Sequence, residues 1–355
     1  MPWFPDFANA AELARMQTRA AGHADPVGRF FAALNSGDTH TLETVWPGEV
    51  VVYDPRAGEI RGRKRLRQFV GHNQSWLAQR GARISTIAST RAAGRAVVEL
   101  LAELAGPEGE ELSWPVAVVA ESSDDRSVVF RTYCSQWPVD GSRHVRPAIL
   151  AHTAADPGGV VGRYHVALEA GDTEAVVATF ASDGSFTGPT GPRHTHRGTG
   201  ELRSFFARCF SAGGGIALRS CAVTDDGARC AVEYNCVRWG SHDLPPQAGI
   251  AVHERGADGL LAAVRVYDDV APPCEAALRR VNERFHRSRA RRCHAVLDGR
   301  GVGGRAVARR SAAGPQLAHP ADPRPALLVP HDLAHNSSEQ VAQCESLGRG
   351  QPGQQ

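Results

Sequence analysis

The feature that most constrains this chain is an internal repeat at a fixed offset of 134 residues. The matched residues, each followed by its counterpart, are Gly28 and Gly162, Asp38 and Asp172, Glu99 and Glu233, Arg131 and Arg265, and Tyr133 and Tyr267. Self-similarity at one period marks a repeated structural unit. A single offset held across about a hundred residues does not arise by chance, so the chain contains a duplicated domain.

Each copy has helical patterns first and strand patterns afterwards. In the first copy, apolar spacing predicts helices at 27–34 and 63–77. A β-branched strand at 49–53 stops at Asp54-Pro55, because proline cannot donate to a strand ladder. Four further strands are predicted, at 82–90, 95–104, 111–121 and 127–137. This order indicates an α+β domain whose helices pack on one face of a curved antiparallel sheet and enclose a conical cup.

The repeat and the composition together divide the chain into five segments. They are an N-terminal helical extension at 1–23, a first domain at 24–140, a linker at 141–155, a second domain at 156–272 and a tail at 273–355. The tail is rich in Arg, Gly and Pro without sustained periodicity, so we predict that it is disordered.

Charge and cysteine usage exclude several classes of function. The formal net charge is +2, but the segment 279–310 carries about eleven Arg against two acids, so the rest of the chain is acidic and does not favour a nucleic-acid partner. No stretch of eighteen apolar residues and no secretory signal occur, which predicts a cytoplasmic protein without a membrane span. The eight cysteines form no Cys-x-x-Cys pair, so reduced thiols are expected. His194 and His196 lack a third ligand, so no metal site is predicted, and no cofactor motif stands in a suitable context.

The order helix, Gly-Asp, helix, strand, Asp-Pro, helix and four strands resembles the NTF2-like superfamily, which includes ketosteroid isomerases and SnoaL-type polyketide cyclases. The resemblance covers roughly residues 24–140 and 156–272. It implies two tandem cone-shaped domains, each with a curved antiparallel sheet wrapped around helices. It also implies a hydrophobic small-molecule partner, with self-association through the sheets, within the chain or as a homodimer.

The resemblance carries a catalytic role over to Asp54. In ketosteroid isomerases the aspartate of the strand-end Asp-Pro is the general base. A carboxylate that faces an apolar cup has a raised pKa and can shuttle protons near neutral pH. The alternative is that Asp54 is a turn residue that accepts hydrogen bonds from nearby backbone amides.

The two copies depart from the isomerase pattern in different ways. The place of the family's oxyanion tyrosine holds Phe30 in the first copy and Tyr164 in the second, so Tyr164 is a second catalytic candidate. The base position of the second copy is Gly188, and the protonated-acid positions fall near Ala117 and Ala251. Neither copy therefore carries the full isomerase set.

Other polar and aromatic residues are candidates for the cups. Glu99 and its counterpart Glu233 lie among apolar residues and either point inward as acid–base groups or form salt bridges at a strand edge. The predicted cup-lining residues are Phe30, Tyr53, Trp76, Trp114, Tyr133, Trp137, Glu233, Tyr234 and Tyr267.

Two functions follow as hypotheses. In the first, the cup of the first domain binds a hydrophobic carbonyl-bearing or polycyclic molecule and catalyses cofactor-free isomerase, cyclase or hydratase chemistry with Asp54 as base. In the second, both domains are non-catalytic and serve ligand binding or assembly as an intramolecular pseudo-dimer.

Overall fold

The structure is a computed structural model that describes residues 20, 22–92, 94–106, 109–122, 124–141, 143–211 and 213–270. All of them belong to one compact unit, Met1–Ser288. The prediction of a disordered tail and most of the predicted N-terminal extension lie outside the described residues.

The first repeat follows the predicted order of helices and strands. Its elements are α1 Pro26–Ser36, α2 His40–Val45, β1 Val50–Asp54, β2 Gly58–Arg61, α3 Arg63–Gln79, β3 Arg83–Ala92, β4 Arg95–Ala105, β5 Glu111–Glu121, β6 Val128–Tyr133 and α4 Trp137–Asp140. The sequence pattern did not predict β2, because a strand of four mostly polar residues gives no clear alternation. It also extended β6 too far, because the chain turns into α4 at Trp137.

The second repeat has the same order. Its elements are α5 Gly159–Ala170, α6 Thr173–Val177, β7 Phe180–Thr187, a 3₁₀ turn Pro192–His194, β8 Thr195–Arg197, α7 Gly198–Cys209, β9 Ile216–Asp225, β10 Arg229–Trp239, β11 His242–Arg255 and β12 Leu261–Tyr267. The sheets share one strand order, β2-β1-β6-β5-β4-β3 and β8-β7-β12-β11-β10-β9. This confirms the predicted α+β architecture in two tandem copies.

Both sheets are mixed, whereas the sequence pattern predicted antiparallel sheets. The strand β1 pairs in parallel with β6, and β7 pairs in parallel with β12. A parallel pair needs a long crossover connection. Here a helix and four strands lie between the partners along the chain, which is why neighbouring strands alone did not reveal the pairing.

The repeated Gly-Asp motif ends one helix and begins the next. Gly37 adopts a left-handed conformation with φ 75°, and its backbone N–H donates to the carbonyl of Ala33 at the end of α1. In the second copy Asp172 caps α6 by accepting a hydrogen bond from the backbone N–H of Ala175 at 3.0 Å. The motif therefore fixes the sharp turn that lays both helices on the sheet.

The central strands of each sheet are buried on both faces. One face packs against the helices of its own repeat, as where Phe30 of α1 stacks on Phe130 of β6 with ring centroids 4.4 Å apart. The opposite faces pack against each other, so Val97 and Val119 of the first sheet share an apolar cluster with Ile250 of the second. Burial on both faces explains the continuous apolar run at 116–120.

Two reciprocal ion pairs cross this interface. Arg131 binds Glu233 through two hydrogen bonds of 2.6 and 2.8 Å, and the Tyr133 hydroxyl donates to the same carboxylate at 2.7 Å. The equivalent groups in the other direction are Arg265 and Tyr267, which both donate to the carboxylate of Glu99. The repeats thus meet about a pseudo-two-fold axis, and each contributes an acid, an arginine and a tyrosine.

Candidate functional site

The larger of the two cups belongs to the second repeat. It contains a cavity of about 280 Å³ between α5, α7 and the concave face of the second sheet. The cavity is lined by Arg143, Tyr164, Leu168, Phe186, Gly188, Pro189, Thr190, His194, His196, Phe205, Phe206, Cys209, Ile216, Leu218, Tyr234, Cys236, Trp239, Ala251, Val266, Asp268 and Val270. Most of these side chains are apolar, with a few polar groups among them, as in typical small-molecule sites.

A buried carboxylate and a tyrosine face this cavity together. Asp268 follows β12 directly and accepts a hydrogen bond of 2.5 Å from the hydroxyl of Tyr234 on β10. The backbone N–H of Val270 also donates to it, at 3.2 Å. Burial raises the pKa of Asp268 to about 6, and the two hydrogen bonds offset only part of that effect. This carboxyl group can therefore change its protonation state near neutral pH.

Tyr164 of α5 lies in the same cup, with its ring edge-on to Phe180 and Phe206. Burial raises the pKa of its phenol well above the ordinary value, so it remains a hydrogen-bond donor at neutral pH. Among the described residues no hydrogen-bond partner of this hydroxyl is found. The cup thus combines an unengaged donor with an acid whose pKa is near neutrality.

Two histidines, the buried His253 and the half-buried His165, lie behind Tyr164. The ring of His253 on β11 lies 5.2 Å from that of His165 on α5, and the Nε2 atom of each has no hydrogen-bond partner within the described part of the chain. Burial lowers the pKa of His165 to about 4 and that of His253 to about 3. Both imidazoles are therefore neutral in the folded protein at pH 7.

We expect this pair to make stability fall in mild acid. Below pH 6.5 the unfolded chain takes up protons on both histidines while the folded chain does not, so the free energy of unfolding decreases as the pH falls towards 4. Between pH 7 and pH 5 each histidine lowers the free energy of unfolding by about 2 kcal/mol. The variant with His165→Phe and His253→Phe should lose less stability over this range in urea unfolding, whereas exposed His40→Phe should behave as wild type. A wild-type pH slope in the double variant would contradict this assignment.

The cup of the first repeat is smaller, with a cavity of about 70 Å³. Asp54 stands at its rim beside Trp76 and Trp114, whose rings lie 5.8 Å apart. The Oδ1 atom of Asp54 accepts hydrogen bonds from the backbone N–H groups of Arg56 at 2.9 Å and Ala57 at 2.8 Å. These hydrogen bonds are those expected if Asp54 is a turn residue rather than a general base, although its side chain still lines the cavity.

The structure places the sequence-predicted residues in three groups. Phe30, Trp76, Trp114 and Asp54 line the first cup, and Tyr164 and Tyr234 line the second. Glu99, Tyr133, Glu233 and Tyr267 lie instead in the interface between the sheets, which corrects their placement as cup residues. Tyr53 and Trp137 are absent from the linings of both cavities within the described chain.

The correction has a simple physical cause. Successive side chains of a strand point to opposite faces of the sheet. Because Glu233 and Tyr267 point to the interface, their neighbours Tyr234 and Asp268 point into the cup. The same alternation, combined with the 134-residue offset, was the signal by which Asp268 could have been found.

The offset also shows how the two cups differ. Asp268 corresponds to Cys134 in the first repeat, and Tyr234 corresponds to Leu100. Both counterparts line the first cup, which therefore lacks the buried acid and its tyrosine.

In the described residues no group of three or more His, Cys, Asp or Glu side chains could hold a metal ion. No helix in this part of the chain is long and apolar enough to cross a membrane.

Comparison with known proteins gives the family. The family model of the SnoaL-like domain matches residues 27–130 and 161–267, more than half of the chain. The chain belongs to the SnoaL-like domain family, with one copy in each repeat, which confirms the resemblance seen in the sequence. A search of curated proteins finds no match.

A search of solved structures finds proteins that are similar to part of this chain. A putative polyketide cyclase from Sinorhizobium meliloti is 20% identical, with a TM-score of 0.26, covering 30% of this chain and 92% of that one. An NTF2-like protein of unknown function from Cytophaga hutchinsonii is 14% identical, with a TM-score of 0.25, covering 30% and 85%. A cystatin-like protein of unknown function from Nostoc punctiforme is 21% identical, with a TM-score of 0.26, covering 32% and 89%.

Proposed function

We propose that the second cup binds a compact, largely apolar molecule whose polar group meets Tyr164 and Asp268. The observation that carries this proposal is a cavity of about 280 Å³ with one buried acid in an apolar wall. Its volume lies just below the range of about 300–1,000 Å³ for small-molecule pockets, which favours a ligand of one or two rings.

The polar groups suit cofactor-free proton transfer to or from a carbonyl compound. A general base works best with a pKa near the working pH, and Asp268 meets that condition. The Tyr164 hydroxyl is the donor that would stabilise the enolate oxygen formed when a proton leaves the carbon next to the carbonyl. Isomerisation and cyclisation both proceed through such an enolate.

This proposal moves the chemistry from the first cup to the second. Asp54 as base of the first repeat stays a prediction, but its cavity is about 70 Å³ and two backbone amides already engage the carboxylate. A small cavity leaves no room for the polycyclic ligand that the sequence analysis envisaged. The first repeat would then serve mainly to hold the second in place.

A purely structural role is the second candidate. Its support is the sheet interface, where two arginine–glutamate pairs and two tyrosines are buried between the repeats. Such an interface makes the chain an intramolecular pseudo-dimer whether or not a cup is used. The two functions are separated by ligand binding.

Binding of 2-naphthol by the full chain tests the proposal. We expect one molecule to bind per chain in a calorimetric titration and to raise the melting temperature by several degrees, because a ligand at a hundred times its dissociation constant adds about 2.7 kcal/mol. Two molecules per chain would show that both cups bind. No binding of 2-naphthol or of the ketone 2-tetralone would favour the structural role.

A further inference from the structure

We propose that Arg143 is an anion-binding residue of the second cup, so that the ligand carries a carboxylate beside its apolar body. This inference rests on the proposed function, since it names the chemical class of the ligand that the second cup takes. Arg143 lies in the segment that joins the two repeats, yet its side chain lines the cavity of the second repeat.

The guanidinium of Arg143 is largely unengaged. It lies over the ring of Trp137, 5.7 Å from the centroid, and its Nη1 atom contacts the carbonyl oxygen of Val270 at 3.5 Å. In the described chain no carboxylate oxygen lies within the 4.0 Å of an ion pair with it, whereas Arg131 and Arg265 each bind a glutamate. Arg143 therefore keeps most of its five N–H donors for a ligand, and their fork matches a carboxylate.

Asp269 holds the segment that carries Arg143. Its Oδ2 atom accepts hydrogen bonds of 2.9 Å from the backbone N–H groups of Gln136 and His144, on either side of α4. Its Oδ1 atom accepts a hydrogen bond from the hydroxyl of Ser135. Asp269 thus fixes the arginine next to the strand end that carries Asp268, so the guanidinium is presented to the cavity by a braced loop.

The charges of the cup favour an anion near Arg143. Asp268 is the single carboxylate among the described lining residues. Tyr234 and the backbone N–H of Val270 donate hydrogen bonds to it, and the charge of Arg143 also lowers its pKa, although the two side chains form no ion pair. The lining also includes His194 and His196 and no second acid. A ligand carboxylate would bind Arg143, its rings would contact the apolar wall, and the rest of its polar surface would face Tyr164.

The test compares two probes of nearly equal shape, 2-naphthoate and 2-naphthamide, by calorimetric titration of the full chain. Wild type should bind the carboxylate about tenfold or more tightly than the amide, because a charge-assisted bidentate contact is stronger than a neutral one. Arg143→Gln should remove this preference by weakening the binding of the carboxylate much more than that of the amide. Arg193→Gln is the matched control, since it removes the same charge from the nearby 3₁₀ turn without changing the lining.

The possible outcomes distinguish a failure of the role of Arg143 from a failure of the proposed function of the second cup. Equal affinities in wild type, or a preference that survives in Arg143→Gln, would overturn the role of Arg143 while leaving the cup as a binding site. If Arg193→Gln loses the preference for the carboxylate to the same extent, the preference comes from general electrostatic attraction. That result also overturns the assignment of Arg143. Failure of both probes to bind wild type would count against the proposed function itself.

Discussion

Replacing Glu233 with alanine is expected to lower the free energy of unfolding by about 3–5 kcal/mol. The substitution removes the carboxylate that both Arg131 and Tyr133 contact across the sheet interface. Arg131 is only 2% exposed, so its guanidinium would remain buried with Glu121 as its remaining partner. A buried charge that loses one of its two partners is costly because water cannot replace the lost one. Urea unfolding of the full chain measures the difference.

Glu174→Ala is the matched control. Glu174 also forms a two-bond pair with an arginine, Arg203, at 2.6 and 2.9 Å, but both side chains are about half exposed or more. Exposed pairs contribute little to stability because water and salt screen the charges, so this variant should unfold nearly as wild type. Equal losses in the two variants would mean that the interface pair is no more important than a surface pair.

Asp268→Asn is expected to slow proton exchange in a bound ketone by about 10²–10⁴-fold, the usual contribution of a general base. The probe is 2-tetralone in deuterated water, whose C1 protons can be followed by NMR. Asparagine keeps an oxygen that can accept the Tyr234 hydrogen bond but cannot take up a proton. In wild type the exchange rate should rise as the pH increases through about 6, because the ionised carboxylate is the active form.

Asp54→Asn is the control that compares the two cups. If the second cup carries the chemistry, this variant exchanges protons at the wild-type rate. If exchange falls in Asp54→Asn and not in Asp268→Asn, the first cup is the site and the hypothesis drawn from the isomerase resemblance is the better one. If wild-type protein binds 2-tetralone but exchanges its protons no faster than the buffer does, the cup is a binding site and not a catalytic one.

The fold could be predicted from the sequence because its signals are local and repeated. The strand at 95–104 and the one at 111–121 were predicted almost to their observed bounds, Arg95–Ala105 and Glu111–Glu121. Their β-branched and apolar residues identify them without knowledge of their partners. The parallel pairing of β1 with β6 was missed because it depends on residues about eighty positions apart.

The site was harder to predict because it depends on which face each side chain takes. Glu99 and Glu233 were correctly recognised as unusual acids in apolar strands, but sequence alone left open whether they face the cup or another surface. Their orientation depends on how the second sheet packs against the first. The periodicity of a single strand carries no information about that packing. Asp268 was overlooked because the strands were predicted on the first repeat, where the same position is Cys134.

The location of the ligand is the central claim, and two substitutions of the same kind test it directly. Ala251→Leu adds bulk to the lining of the second cup, and Ala102→Leu adds the same bulk to the lining of the first. Repeating the 2-naphthol titration on both variants, we predict that Ala251→Leu loses binding while Ala102→Leu keeps the wild-type affinity. Loss of binding in Ala102→Leu with full binding in Ala251→Leu would contradict the account and return the site to the first cup.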